Sequence, residues 1–190
     1  GLTMPSNVAD ALSFIVGSIG QLLVYVLLLR FLLPWFRADH RNPLSQAILK
    51  VTSPLVVPLR RFIPAIGRID TATLIIIFFV LYLTLFLIGL IISINPGPLV
   101  LALSAVAYIP MLILRLFFFL VIVRVIMSWI SPGGYNPAIA LFHALTDPIM
   151  RPFQRIIPPL GGFDISPILV IILIGALIRL ANGLVPFPVM

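Results

Sequence analysis

The chain has 190 residues, of which 62% are hydrophobic and only 9% charged, with a formal net charge of +7. A soluble domain of this size carries about a quarter charged residues, so a water-exposed fold is excluded and the solvent for most of the chain is lipid. The positive balance points to anionic lipid and the positive-inside rule rather than to nucleic acid, because no basic tail or aromatic-interleaved basic stripe is present.

In chain order, Gly1 reads as a trimmed or foreign start, and the following residues lack the basic region and cleavage site of a signal peptide. A first apolar span is predicted from Val8 to Phe36. A second runs from Thr71 to Ile94, ended by the turn Asn95-Pro96-Gly97-Pro98. Between Asp70 and Arg115 there is no charged residue. A third span ends near Ile130 and begins between Leu99 and Met111. From Leu99 it would be about 48 Å long as a straight helix. Either a long tilted helix bends at Pro110, or Leu99 to Ile109 lies in the outer interface. A fourth span is predicted from Ser166 to Ala181. Helices are expected, because a segment crossing lipid must satisfy its own backbone.

The chain repeats itself. Residues 30–70 realign without a gap on residues 124–164 at an offset of 94, with 12 identities in 41 positions. Arg30, Trp35, Asn42, Pro43, Thr52 and Pro54 recur as Arg124, Trp129, Asn136, Pro137, Thr146 and Pro148. Pro58, Arg61, Ile63, Pro64, Gly67 and Asp70 recur as Pro152, Arg155, Ile157, Pro158, Gly161 and Asp164. The expected architecture is an all-α membrane protein of four transmembrane helices. They form two tandem parallel units, residues 1–94 and 95–190, each helix–interfacial loop–helix, related by a pseudo-two-fold along the membrane normal. Two spans per unit excludes an inverted repeat. The basic residues Arg37, Arg41, Lys50, Arg60, Arg61, Arg68, Arg151 and Arg155 lie in the two long loops, which places those loops in the cytoplasm, both termini outside, and Trp35 and Trp129 at the inner interface.

Each loop follows one plan. Asn42 and Asn136 are predicted N-caps, with proline in the first turn. They open short helices over Leu44–Val51 and Ala138–Leu145. Ser53-Pro54 and Asp147-Pro148 end these and begin second segments rich in large apolar residues and arginine. Such segments suit the headgroup layer, with Arg60, Arg61, Arg151 and Arg155 at lipid phosphate. Asp70 and Asp164 are expected to cap the following spans. Arg30 and Arg124 lie about 7.5 Å deeper than their Trp. They snorkel or pair with Asp70 or Asp164, and their recurrence favours pairing. Arg115 and Arg179 sit toward the outer leaflet, where the default is snorkelling and the alternative is contact with Asp10.

The signs of chemistry are few. There is no Cys and no Glu. His40 and His143 are not repeat-equivalent and read as exposed loop residues. No catalytic constellation, cofactor motif or metal-ligand spacing is present, so no enzyme, cofactor or metal is expected.

Two copies of Arg-x4-Trp, then Asn-Pro, then (Ser/Asp)-Pro-x3-Pro-x2-Arg-x-Ile-Pro-x2-Gly-x2-Asp resemble the YggT family of bacterial inner-membrane proteins, also called YlmG. The resemblance covers nearly the whole chain. It implies links to osmotic stress tolerance and potassium homeostasis, to cell division and nucleoid distribution, or to haem attachment during cytochrome b maturation, and it carries no catalytic residues. Two expectations follow. One is a non-enzymatic membrane scaffold or assembly factor that meets anionic headgroups and a membrane-protein partner, or a second copy, at the cytoplasmic face. The other is a small oligomeric ion channel or transport component in potassium or osmotic homeostasis. The copies differ at Arg60/Gln154 and Val57/Arg151, so their loops are not expected to do equal work.

Overall fold

The computed structural model describes residues 4–36, 38–130, 133–134 and 136–190. Gly1 and Arg37 fall outside them. Six helices follow one another: α1 (Ser6–Leu32), α2 (Pro43–Arg60), α3 (Thr71–Ile91), α4 (Pro98–Ile130), α5 (Pro137–Ile156) and α6 (Ser166–Asn182). Apart from them, two isolated bridges, Ile66 with Ile69 and Leu160 with Phe163, are formed among the described residues.

Three helices are long and apolar enough to cross a membrane: α1, α3 and α4. The stretch predicted as a fourth span forms the shorter apolar helix α6, which has 17 residues. At 1.5 Å per residue it reaches about 25 Å, short of the roughly 30 Å hydrocarbon core. Large apolar side chains such as Phe14, Leu22, Phe79, Leu99, Phe119 and Leu180 are exposed on these helices, as suits surfaces that meet lipid.

The predicted boundaries change where the backbone explains it. The first span stops at Leu32, not Phe36: Pro34 has no N–H to continue the ladder, and Trp35 N bonds Leu32 O at 3.0 Å in a closing turn. The third span is one helix of 33 residues that carries Pro110 inside it. Tyr108, Met111 and Leu112, all fully buried, hold this stretch against its neighbours. The two short segments expected in each loop are a single helix, with Pro54 and Pro58 inside α2 and Pro148 and Pro152 inside α5.

The packing follows the repeat. Helix α1 lies on α3, and α4 on α6. Helix α2 lies on α1 and α3, and α5 on α4 and α6. Contacts α1–α4, α2–α5 and α3–α4 join the halves. Positions 94 apart meet or face one cavity between the halves. Arg115 Nη1 donates to Gln21 Oε1 at 3.3 Å. Leu22 and Leu116, Tyr25 and Phe119, Val26 and Leu120, and Ile48 and Phe142 line an apolar cavity of about 540 Å³ between the halves.

At the end of the bundle away from α2 and α5, the last residues fold back as a strap. Val185 and Phe187 are buried. Phe187 N donates to buried Ser104 Oγ at 3.0 Å, Met190 N donates to Tyr108 Oη at 3.0 Å, and Arg115 Nη2 donates to Met190 O at 3.4 Å. Arg115 is therefore satisfied by Gln21 and the strap, not by Asp10. Arg179 donates to Gly175 O at 3.3 Å on its own helix, and Asp10 is exposed. The shared contact with Asp10 is not formed.

Candidate functional site

The repeated residues converge where the loop helices dock on the spanning helices. Asn42 Oδ1 accepts from Leu44 N at 2.9 Å and Asn136 Oδ1 accepts from Ala138 N at 2.9 Å, so both predicted caps form. Asn42 does more: its Nδ2 donates to Pro137 O at 2.7 Å and ties the first loop to the start of α5. Asn136 is exposed.

Arg30, in the last turn of α1, is 5% exposed. Its Nη1 donates to Thr52 Oγ1 at 2.8 Å, to Ser53 Oγ at 3.3 Å and to Leu49 O at 3.3 Å. These acceptors sit where Pro54 interrupts the ladder of α2. Thr52 Oγ1 in turn donates to Ile48 O at 2.7 Å, and Ser53 Oγ to Leu49 O at 2.5 Å. Pro54 leaves the Lys50 carbonyl without its helical N–H, side chains add donors to the neighbouring Ile48 and Leu49 carbonyls, and α2 runs on past the break. Arg30 Nε lies 3.6 Å from Asp70 Oδ2, both groups buried. Asp70 also caps α3, accepting from Thr73 N at 3.3 Å. One guanidinium therefore joins α1, α2 and the start of α3.

The second copy repeats the clasp with another acid. Arg124 Nη1 donates to Thr146 Oγ1 at 2.9 Å and to Asp147 Oδ1 at 2.5 Å. Thr146 and Asp147 are the offset-94 partners of Thr52 and Ser53. Pairing of Arg124 with Asp164 is thus replaced by an acid on α5 itself. Asp164 turns to its own segment: it accepts from Ser166 N at 3.0 Å, from Ser166 Oγ, and from Gln154 Nε2 at 2.9 Å. Burial pushes the Asp164 carboxyl up, but these bonds and the nearby Arg124 charge outweigh it and hold the carboxyl below its ordinary range. The cap position of α6 is Ile165, without a side-chain bond, so Asp164 acts one residue outside the predicted role.

Beyond each clasp the chain makes a tight turn closed by two backbone bonds, between Ile66 and Ile69 and between Leu160 and Phe163, all 3.0 Å. Gly67 and Gly161 take φ of +60° and +59° there, which a side chain disfavours. Gly67→Ala, with open space for the methyl, is expected to cost about 1 kcal/mol through the backbone alone. Limited proteolysis between Arg61 and Arg68 should become faster.

Arg60, Arg61, Arg151 and Arg155, which precede these turns in the chain, are exposed. So are the apolar repeat pairs Phe62 and Ile156, Ile66 and Leu160, and Ile69 and Phe163. Trp35 and Trp129 are exposed too, Trp35 in the turn after α1 and Trp129 within α4. His40 is exposed; His143 is half-buried on α5, with Nδ1 3.7 Å from Asp147 Oδ1. Among the described residues no group of three or more His or Asp residues could hold a metal ion. Sequence reasoning missed the threonine acceptors, although Thr52 and Thr146 each lie 22 residues beyond their arginine.

The comparisons with known proteins match this plan. The CCB3/YggT family model fits the chain twice, over residues 9–91 and 103–185, again 94 apart. The chain is 38% identical to an uncharacterised Pseudomonas aeruginosa protein over 157 residues, 82% of this chain and 80% of the relative. It is 33% identical to the uncharacterised protein YggT of Escherichia coli over 165 residues, 87% of this chain and 86% of the relative. A shorter stretch of 68 residues is 35% identical to the chloroplastic YlmG homolog protein 2 of Arabidopsis thaliana, 34% of this chain and 26% of the relative. No solved structure matches the chain at a significant level.

Proposed function

The chain belongs to the CCB3/YggT family, and from that premise we propose that it is a non-enzymatic scaffold of the bacterial inner membrane. It spans four times as two parallel units, residues 1–94 and 95–190, with the loop helices in the cytoplasm and both termini outside. Here α6 makes the fourth crossing, helped by the residues flanking its 17 helical positions. The matched helix contacts and the Gln21–Arg115 bond between positions 94 apart support a pseudo-two-fold along the membrane normal.

The observation that carries the functional reading is the doubled clasp. Arg30 and Arg124 each pin an amphipathic helix by a threonine hydroxyl, at 2.8 and 2.9 Å. The pinned helices hold exposed Arg60, Arg61, Arg151 and Arg155, beside the apolar pairs, at the membrane surface. Fixed arginines next to fixed apolar tips suit anionic headgroups and a membrane-protein partner or second copy. Asn42, Asn136, Trp35 and Trp129 position this surface; Asp70 and Asp164 set its junction with α3 and α6.

The ion-channel reading is weaker, because Arg30 and Asp70 neutralise each other inside the bundle. Potassium flux from liposomes holding the purified chain is expected to equal that of empty liposomes. Affinity capture from native membrane is expected to retain a discrete membrane protein, lost when Arg61 and Arg155 are both changed to Ala. Flux that is above background and abolished by Arg30→Ala and Arg124→Ala would replace the scaffold reading with the channel.

A further inference from the structure

The two loops are not chemically equal, and the difference collects around one hollow. A chamber of about 450 Å³ lies between the end of α1 and the flank of α5, lined by Trp35, Phe36, Ala144, Asp147, Pro148 and Arg151. Its aromatic wall comes from the first copy and its charged wall from the second. At offset 94 the charged wall corresponds to Lys50, Ser53 and Val57, a set with no acid. The juxtaposition of Trp35 with Asp147 and Arg151 therefore has no counterpart at the residues 94 positions away.

Its chemistry selects a ligand with both signs of charge. Arg151 is exposed and offers a guanidinium fork suited to phosphate oxygens. Asp147 gives Oδ1 to Arg124 at 2.5 Å, but a carboxylate has a second oxygen with its own lone pairs, and its side chain is 34% exposed. Arg124 offsets the charge of Asp147 but leaves its second oxygen free to accept, so a headgroup that carries a donor cation beside its phosphate uses both walls. The face of Trp35 is a place for that cation, and an exposed Trp at the end of a spanning helix marks the depth of the headgroups. A primary ammonium can donate hydrogen bonds to Asp147; a quaternary one cannot.

We propose that this chamber binds the phosphoethanolamine headgroup of a membrane lipid, with phosphate on Arg151 and the ammonium between Asp147 and Trp35. The proposal rests on α2 and α5 lying at the inner membrane surface, and it names which lipid the second loop takes.

Native mass spectrometry of the purified full chain tests it, with phosphatidylethanolamine, phosphatidylglycerol and phosphatidylcholine of identical acyl chains added in equal amounts. The ethanolamine lipid is expected to be retained about tenfold over the other two, the ratio one charge-assisted contact carries. Arg151→Val and Asp147→Ser install the first copy's residues, and each is expected to remove that preference. Lys50→Ala, which takes the same charge from an exposed position of the other loop and installs the second copy's residue, is expected to leave it unchanged. Because Asp147→Ser also loosens Arg124, a melting curve accompanies it; if that variant does not fold, Arg151→Val decides alone. Unchanged retention in Arg151→Val, or a preference for phosphatidylglycerol, overturns the proposal. Soluble glycerophosphoethanolamine in large excess is expected to release the bound lipid; tighter binding of the soluble molecule than of the lipid overturns the lipid as the source. Lost preference together with intact partner capture separates this headgroup site from the scaffold reading, which stands or falls on flux and capture.

Discussion

Replacing Arg30 by Met is expected to destabilise the folded chain by about 3–5 kcal/mol, the cost of leaving one member of a buried ion pair without its partner. Asp70 would remain 6% exposed with its neutralising charge gone. The change also strips Thr52, Ser53 and the Leu49 carbonyl of their shared donor. Arg124→Met, the same substitution in the other copy, is expected to cost only about 1 kcal/mol, because its partner Asp147 is about one third exposed and water takes over. Arg30→Met with Asp70→Asn should recover most of the loss, since removing both charges avoids the lone buried carboxylate. Thermal unfolding of the unaltered chain and the three variants in one detergent gives the comparison. Equal losses for the two arginines would mean that Arg30 is not the buried member.

The second large effect is steric. A methyl added at Gly20 would lie 2.7 Å from Thr84 Cγ2 and closer still to its Oγ1. Thr84 is buried, and its hydroxyl donates to Val80 O at 2.7 Å, so the side chain is held in place. Small residues at such crossings let backbones approach where lipid gives no hydrophobic drive for association. Gly20→Ala is expected to cost about 1–3 kcal/mol, the usual range for overpacking a filled interface, and to separate α1 from α3. Adding Thr84→Ala should return most of this loss, a coupling that a double-mutant cycle measures directly. Gly20→Ala with wild-type stability would remove the close approach of α1 to α3.

What could be read in advance divides by the range of the forces involved. The duplication, the long apolar helices and the Asn caps were legible, because hydropathy and caps act within a few residues. The continuity of α2 was not. Pro54 and Pro58 signal a break, and the donors beside it include a guanidinium from another helix. The partner of Arg30 was legible from the repeat, since Asp70 recurs. The same logic misassigned Arg124, because its acid came from Asp147, a position where the copies had diverged. The strap was hidden for a similar reason. Val185 and Phe187 lack any periodic pattern, and their burial depends on Ser104 and Tyr108 more than 80 residues earlier.

That strap has a consequence for biogenesis. Ser104, Tyr108 and Arg115 are made early, yet their partners Phe187 and Met190 leave the ribosome some 75 to 83 residues later. While translation continues, Ser104 and Tyr108 lack these partners and Arg115 has only Gln21, whereas Arg30 meets Asp70 as soon as α3 emerges. The Arg30 clasp can therefore close before α4 is made, whereas the contacts of the strap with α4 wait for the stretch through Met190.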